Sequence, residues 1–398
     1  MCNGGRVMKK YWKFIAMSVV IVLTISTYYI QSAIANKNFD YKIEKVSGNE
    51  AEIENLILEV SIPTNNYIWR NYSLTKDGLI SQYGDSMVIN AFSPLPLSLN
   101  NQLGEYRSFV RGKNPYSNFL INDNRMIYIG TENYNTKEWN KRAVNIEVEI
   151  LDKETEKRQK FELTSQLSTI YQMASIKSIY HVDGEIKLIV ELHTTNAGSS
   201  LYAFTIDEEQ QAITKETLLA INDKDSYFRN YNGVSDNNRY FIYNVEKFES
   251  NTPAPSVPTD LYVYDFQSEN TEKLELPNEV RSKMDYTYTF LNNEKLYVFN
   301  RLETGIKGYQ YNIESKQWHE SVSFPLPISN EIQTIREIEN KLYSVHADDV
   351  IVGDDIQYVL LIHDLETTDV LFEGKITQSG SQKNLQTHFY DIYQVEDK

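Results

Sequence analysis

A single cysteine, Cys2, stands in a chain of 398 residues, so no disulfide can form within it. Glycine is also scarce, at 16, which excludes collagen-like or linker-rich organisation. HExxH, the G-x-S-x-G elbow and the Walker phosphate loop are all missing. The six histidines, His181, His193, His319, His346, His363 and His388, show no metal-ligand spacing, which argues against zinc. His363 sits inside an apolar run and is expected to be packed rather than catalytic. Basic charge is in deficit, with 39 Lys and Arg against 55 Asp and Glu, a net −16. Such a surface repels nucleic acid and anionic lipid headgroups.

The chain is 41% apolar and 24% charged, enough to bury a core. Aromatics reach 12%, with 29 Tyr and 16 Phe, a composition that favours strands. The clearest single segment is near the start. Lys9, Lys10 and Lys13 precede an uncharged run from Phe14 to Asn36, long enough to span a bilayer. The lysines predict a cytoplasmic N-terminus and an exported remainder. Ala33-Ile34-Ala35 also fits a signal-peptidase site with cleavage after residue 35. A membrane anchor and a cleaved, secreted form therefore both stay open. Cys2 precedes the run, so it is not a lipoprotein cysteine. Met8 opens a more ordinary export start, "MKKYWKF", and is read as the first residue made in the cell. A native peptide beginning before Met8 would overturn that.

Beyond residue 100 one pattern recurs. An apolar strand ends on a polar residue, a polar turn follows, and a second strand returns. The closing residues are Asp152, Asp207, Asp265, Asn312 and Asp364, at spacings of 55, 58, 47 and 52. A looser copy places Asp77 in the equivalent position. A further apolar run lies upstream of each of the five, among them 125–130, 186–192, 239–245, 295–300 and 341–346. Shorter strands such as 177–182 and 287–292 come before those. Each unit thus holds about four antiparallel strands. "IKLIVEL", "RYFIYNV" and "YVLLIHD" do not alternate apolar with polar, so both faces of each sheet must be covered. Little of the chain has helical periodicity, so other sheets are the cover.

This predicts an all-β fold: a β-propeller of about six four-stranded blades, or alternatively seven, after the N-terminal span. The expected layout is a basic tail over 1–13, the span over 14–36, a linker over 37–54 and the propeller over 55–398. The strand 387–395 should pair near 55–62 and close the ring. Residues 85–115 read as a long excursion and 248–260 as a proline-rich loop. The basic start, single apolar span and repeats of the form "LYVYD…K…L" resemble exported or membrane-anchored propeller-like proteins of Gram-positive bacteria. The resemblance implies architecture alone, because those families carry no assigned activity.

Candidate chemistry is sparse. Asp348, Asp349, Asp354 and Asp355 lie in a loop between two strands of the last unit. Calcium takes carboxylate and carbonyl oxygens on such loops, though the spacing is not that of an EF-hand. The alternative is a solvated acidic turn. The aromatic segments 65–73 and 132–140 are candidate glycan-stacking surfaces, or else ordinary packing. The expected function is non-enzymatic binding of a protein, peptide or cell-wall polymer, without a cofactor. Two others stay open: an accessory regulator of a membrane partner, and a carbohydrate-active enzyme using two carboxylates at the propeller axis.

Overall fold

The computed structural model describes residues 12–14, 16–27, 39–65, 68–81, 106–113, 118–122, 124–131, 143–167, 171–194, 198–230, 238–247, 260–281, 287–292, 294–302, 305–319, 322–325, 331–352, 355–380 and 387–394. They are nearly all β, in six antiparallel sheets among the described residues. The chain divides into two compact units. One comprises 1–94, 330–365 and 369–398, the other 95–329 and 366–368.

The first unit is built from both ends of the chain. Its first sheet holds β2 (Leu56–Asn65), β3 (Ile68–Thr75), β4 (Gly78–Ser81) and β26 (His388–Gln394), in the order β26-β2-β3-β4. The last strand thus completes the first sheet, as expected, with Leu56 opposite Gln394 and Ser61 opposite His388. The unit's other sheet holds β1 (Phe39–Gly48), β22 (Glu331–Ile338), β23 (Lys341–Val352), β24 (Asp355–Asp364) and β25 (Val370–Gly380), in the order β1-β25-β24-β23-β22. Leu58, Val60, Leu74, Phe389 and Ile392 pack against Tyr343, Val345, Leu360, Ile362 and Phe372 between the two sheets.

The linker expected over 37–54 is a correction. Residues 39–48 form β1, a fifth strand on the edge of β25. The reason is visible in "FDYKIE", which alternates apolar and charged residues at the period of a half-buried strand, until the register shifts after Lys45. Tyr41 is buried, with its hydroxyl 2.6 Å from Thr387 Oγ1.

The second unit, apart from residues 366–368, is one stretch of chain and holds four sheets in chain order. They are β5 (Phe119–Ile121), β6 (Arg125–Thr131), β7 (Asn145–Asp152), β8 (Arg158–Thr164); β9 (Met173–Val182), β10 (Glu185–Thr194), β11 (Gly198–Asp207), β12 (Ala212–Ile221); β13 (Ser226–Asn230), β14 (Tyr240–Lys247), β15 (Leu261–Asp265), β16 (Asn270–Leu274); and β17 (Thr287–Asn292), β18 (Lys295–Leu302), β19 (Gly305–Asn312), β20 (Gln317–Trp318), with β21 (Val322–Pro325) also on β19. Each neighbour pair shares a core. Ile127, Ile129 and Val148 meet Ile179, Leu188 and Phe204. Ile189, Leu201 and Ala203 meet Phe228, Phe241 and Tyr264. Ile242 and Val263 meet Leu296, Val298 and Tyr309.

Successive residues of β10 and β11 therefore enter different cores, which is why those strands do not alternate in hydropathy. The fourth strands β8 and β16 are largely exposed and carry the charge.

The repeated polar residue is explained by its turn. Asp152, Asp207, Asp265, Asn312 and Asp364 each end the third strand of a sheet. Four of them accept a backbone N–H two or three residues on: Thr155, Gln210, Gln267 and Ser315, at 2.7–2.9 Å. This local bond sets the reversal. Four residues past each one the backbone is left-handed, at Glu156, Gln211, Glu269, Lys316 and Thr368, with φ between 50° and 65°. The looser sixth copy is corrected. Thr75, not Asp77, ends the third strand there, and Asp77 lies in a tighter turn closed at Gly78.

Residues 12–14 and 16–27 are helical, and no helix among the described residues is long and apolar enough to cross a membrane. The rest of the apolar run lies outside the described residues. So do most of the 85–115 excursion and of the 248–260 loop; Phe109, from the short helix Arg107–Val110, is fully buried beside Phe119.

Candidate functional site

The face of β10 that meets the next sheet carries Lys187, Ile189, Glu191 and His193 in alternation. Apolar Ile189 is in the middle, with charge at both ends. Charges inside an otherwise buried strand must find partners. At one end Lys187 donates to the carbonyl of Phe266 and to Glu269, each at 2.9 Å. These bonds tie the second unit's middle sheets together.

The other end gathers more chemistry. Glu191 is 3% exposed and holds three partners. Ser199 Oγ donates to Oε1 at 2.5 Å, Lys177 Nζ lies 2.7 Å from Oε2, and His193 Nε2 lies 3.5 Å from Oε2. Register explains the meeting. His193 pairs with Ser199 across β10 and β11. A bulge in β9 leaves Lys177 opposite no residue of β10, and bulges re-aim side chains. Asn222 closes the back: its Oδ1 accepts from the Ser199 amide and lies 3.1 Å from the Ser199 hydroxyl oxygen, whose one proton goes to Glu191. That approach needs Gly198: its φ is +84°, and a Cβ there would stand 2.3 Å from the Asn222 carbonyl oxygen. Burial holds the pKa of His193 below its ordinary value, with Lys177 adding to that and Glu191 opposing it. The ring is therefore neutral at pH 7, and its side chain is 36% exposed.

A nucleophilic serine needs its proton on a base. Here the Ser199 proton goes to the carboxylate, and the imidazole faces that carboxylate too. The cluster offers a neutral ring and an ammonium beside a compensated carboxylate. That set can hold a polar ligand.

A second polar region lies at the opposite end of the same sheet. Glu208 accepts from Arg125 at 3.1 Å and lies 2.5 Å from His181 Nε2. Burial opposes the Glu208 carboxylate, but His181 and Arg125 outweigh it and hold the pKa below the usual range. A cleft of about 970 Å³ opens there, with Asn122, Arg125, His181, Asp183, Asp207 and Glu208 on its walls.

The predicted acidic site fares differently. Asp348 and Asp349 lie within β23 and Asp355 opens β24, so the backbone is a strand hairpin where a loop was expected. Asp348 pairs with Gln357 and Val352 with Asp355, with a bulge between. Asp354 and the side chains of all four lie outside the described residues. No group of three potential metal ligands occurs among the described residues. His346 and His363 are fully buried, while His319 and His388 are exposed. In the aromatic segment 65–73, Tyr72 belongs to the first unit's core. The segment 132–140 lies outside the described residues. Glu191, Lys177, Ser199 and Glu208 were not singled out from sequence. The one local signal was "LIVELH", two ionisable residues two apart inside an apolar run.

No protein-family model and no curated protein matches the sequence. Similar solved structures include TolB from Acinetobacter baumannii, at 12% identity and TM-score 0.33, covering 88% of this chain and 66% of that one. The β-propeller domain of the Trilobed protease from Pyrococcus furiosus is similar at 11% and 0.34, covering 71% and 97%. A post-proline cleaving enzyme from Rickettsia typhi stands at 11% and 0.38, covering 86% and 45%. This chain thus spans under two thirds of the first structure and under half of the third. No residue role is carried over from them.

Proposed function

We propose that this protein is an extracytoplasmic binding protein: a six-bladed propeller, held to the membrane by residues 14–36, that recognises a peptide or wall polymer without turning it over. Several features support the propeller. Neighbouring sheets share cores within each unit, the third strand of five of the six described sheets ends in the same turn, and β26 completes the first sheet. The export reading rests on the basic flank before the apolar run.

One observation carries the binding reading. Among the described residues the Ser199 hydroxyl donates to Glu191, and the partly exposed His193 faces that same carboxylate. Isolated cell-wall sacculi and an immobilised peptide library test it. The expected result is saturable retention by one of them, weakened about tenfold in Lys177→Ala or His193→Ala, with no release of soluble fragments. Steady release of reducing ends or new amines would make the protein an enzyme and sink the proposal.

A further inference from the structure

We infer that, in the sheet of β1 and β22–β25, the end carrying the β23–β24 hairpin faces the lipid surface, and that the opposite end faces outward. This rests on the membrane-anchor reading above. Only Lys37 and Asn38 separate the apolar run from β1. Three residue steps span at most about 10 Å, so Phe39 is held close to the bilayer. The register then orients the sheet. Phe39 pairs with Gly380 of β25. β25 is antiparallel to β24, with Tyr358 opposite Ile376, so the Gly380 end of β25 lies beside the start of β24. Asp355, which starts β24, pairs with Val352, the end of β23. The first residue of β1 and the β23–β24 turn therefore share one end of one sheet.

The other end holds the turn at Glu339–Asn340 and the turn after Asp364. These two are joined by the Leu365 amide donating to the Asn340 carbonyl at 3.0 Å. β24 has ten residues, which puts roughly 30 Å between the ends. Asp348, Asp349 and Asp355 are thereby brought to the lipid side. An outside ligand of this unit would meet the turns at 339–340 and 364–369.

Fluorescence quenching in the full chain tests this. With Cys2→Ser as background, Val352→Cys and Glu339→Cys are labelled separately. Each labelled protein is reconstituted into phosphatidylcholine vesicles containing nitroxide-headgroup lipid. Quenching of the 352 label at least threefold stronger than that of the 339 label is expected. Asp355→Cys, on the paired strand, should repeat the 352 result if the first variant misfolds. Equal quenching, or the reverse order, overturns the orientation while leaving the anchor intact. Failure of the unlabelled protein to float with vesicles removes the anchor, and the orientation with it.

Discussion

Two carboxylates, one buried and one half-buried, respond to pH in opposite directions. Glu59 is 2% exposed and accepts from Ser73, Tyr390 and Tyr393 at 2.7–3.2 Å, with no ion pair to it among the described residues. Burial raises its pKa despite those bonds. The folded state then binds the proton more tightly than the unfolded chain, so stability is lost as pH rises through the raised pKa. Glu59→Gln should raise the melting temperature at pH 7–8, and the gain should vanish by about pH 3, below the unfolded carboxyl's pKa, where Glu59 is protonated in both states. An equal gain at both pH values would refute the ionisation account. Glu208 runs the other way. Its lowered pKa gives stability that is present above the unfolded value and lost as pH falls through the folded one. Glu208→Gln should flatten the acid limb of the melting curve and leave the alkaline limb alone. The left-handed turn residues make a third case. Glu156 is exposed at φ 54°. Glu156→Gly relieves that conformation at an entropic cost, for a net gain of about 0.5–1 kcal/mol in denaturant melts.

At the level of elements, the edge strands decide the stability of the first unit. β26 brings Phe389 and Ile392 into its core and both tyrosines onto Glu59. Removing 385–398 forfeits two buried apolar side chains, about 3–6 kcal/mol, before any lost pairing is counted. The truncated protein should melt well below the intact one and aggregate, because β2 is left as an open edge. Unchanged melting and solubility would show β26 to be dispensable. Gly48 is the matching weak point at the end of β1. Its φ is +85°, and an added Cβ would stand 2.1 Å from the Leu371 carbonyl oxygen. Gly48→Ala should cost at least about 2 kcal/mol in chemical denaturation.

At the scale of the molecule, the two units differ in how the chain enters them. The second is one stretch but for residues 366–368, with its own three shared cores, while the first is assembled from segments more than 200 residues apart. A fragment of residues 95–329 should therefore fold by itself, giving a β-type circular dichroism spectrum and a cooperative melt. A non-cooperative, unstructured fragment would show that its cores need the rest of the chain.

The strands, the four-strand unit and the repeated turn were legible because each is local. An Asp or Asn that bonds a backbone amide two or three residues on, or an apolar residue every second position, is written into adjacent letters. Even the long-range pairing of 388–394 with 56–61 could be read, since a first unit short of one strand and a last strand without a unit complement each other. β1 carried the same local alternation over 39–48. The polar clusters were not legible. Ser199 reaches Glu191 and His193 through strand register, Lys177 through a bulge, and Arg125 reaches Glu208 over 83 residues of sequence. Register and sheet stacking are set by the summed packing of whole cores. The companions of a buried charge are therefore a property of the tertiary structure alone.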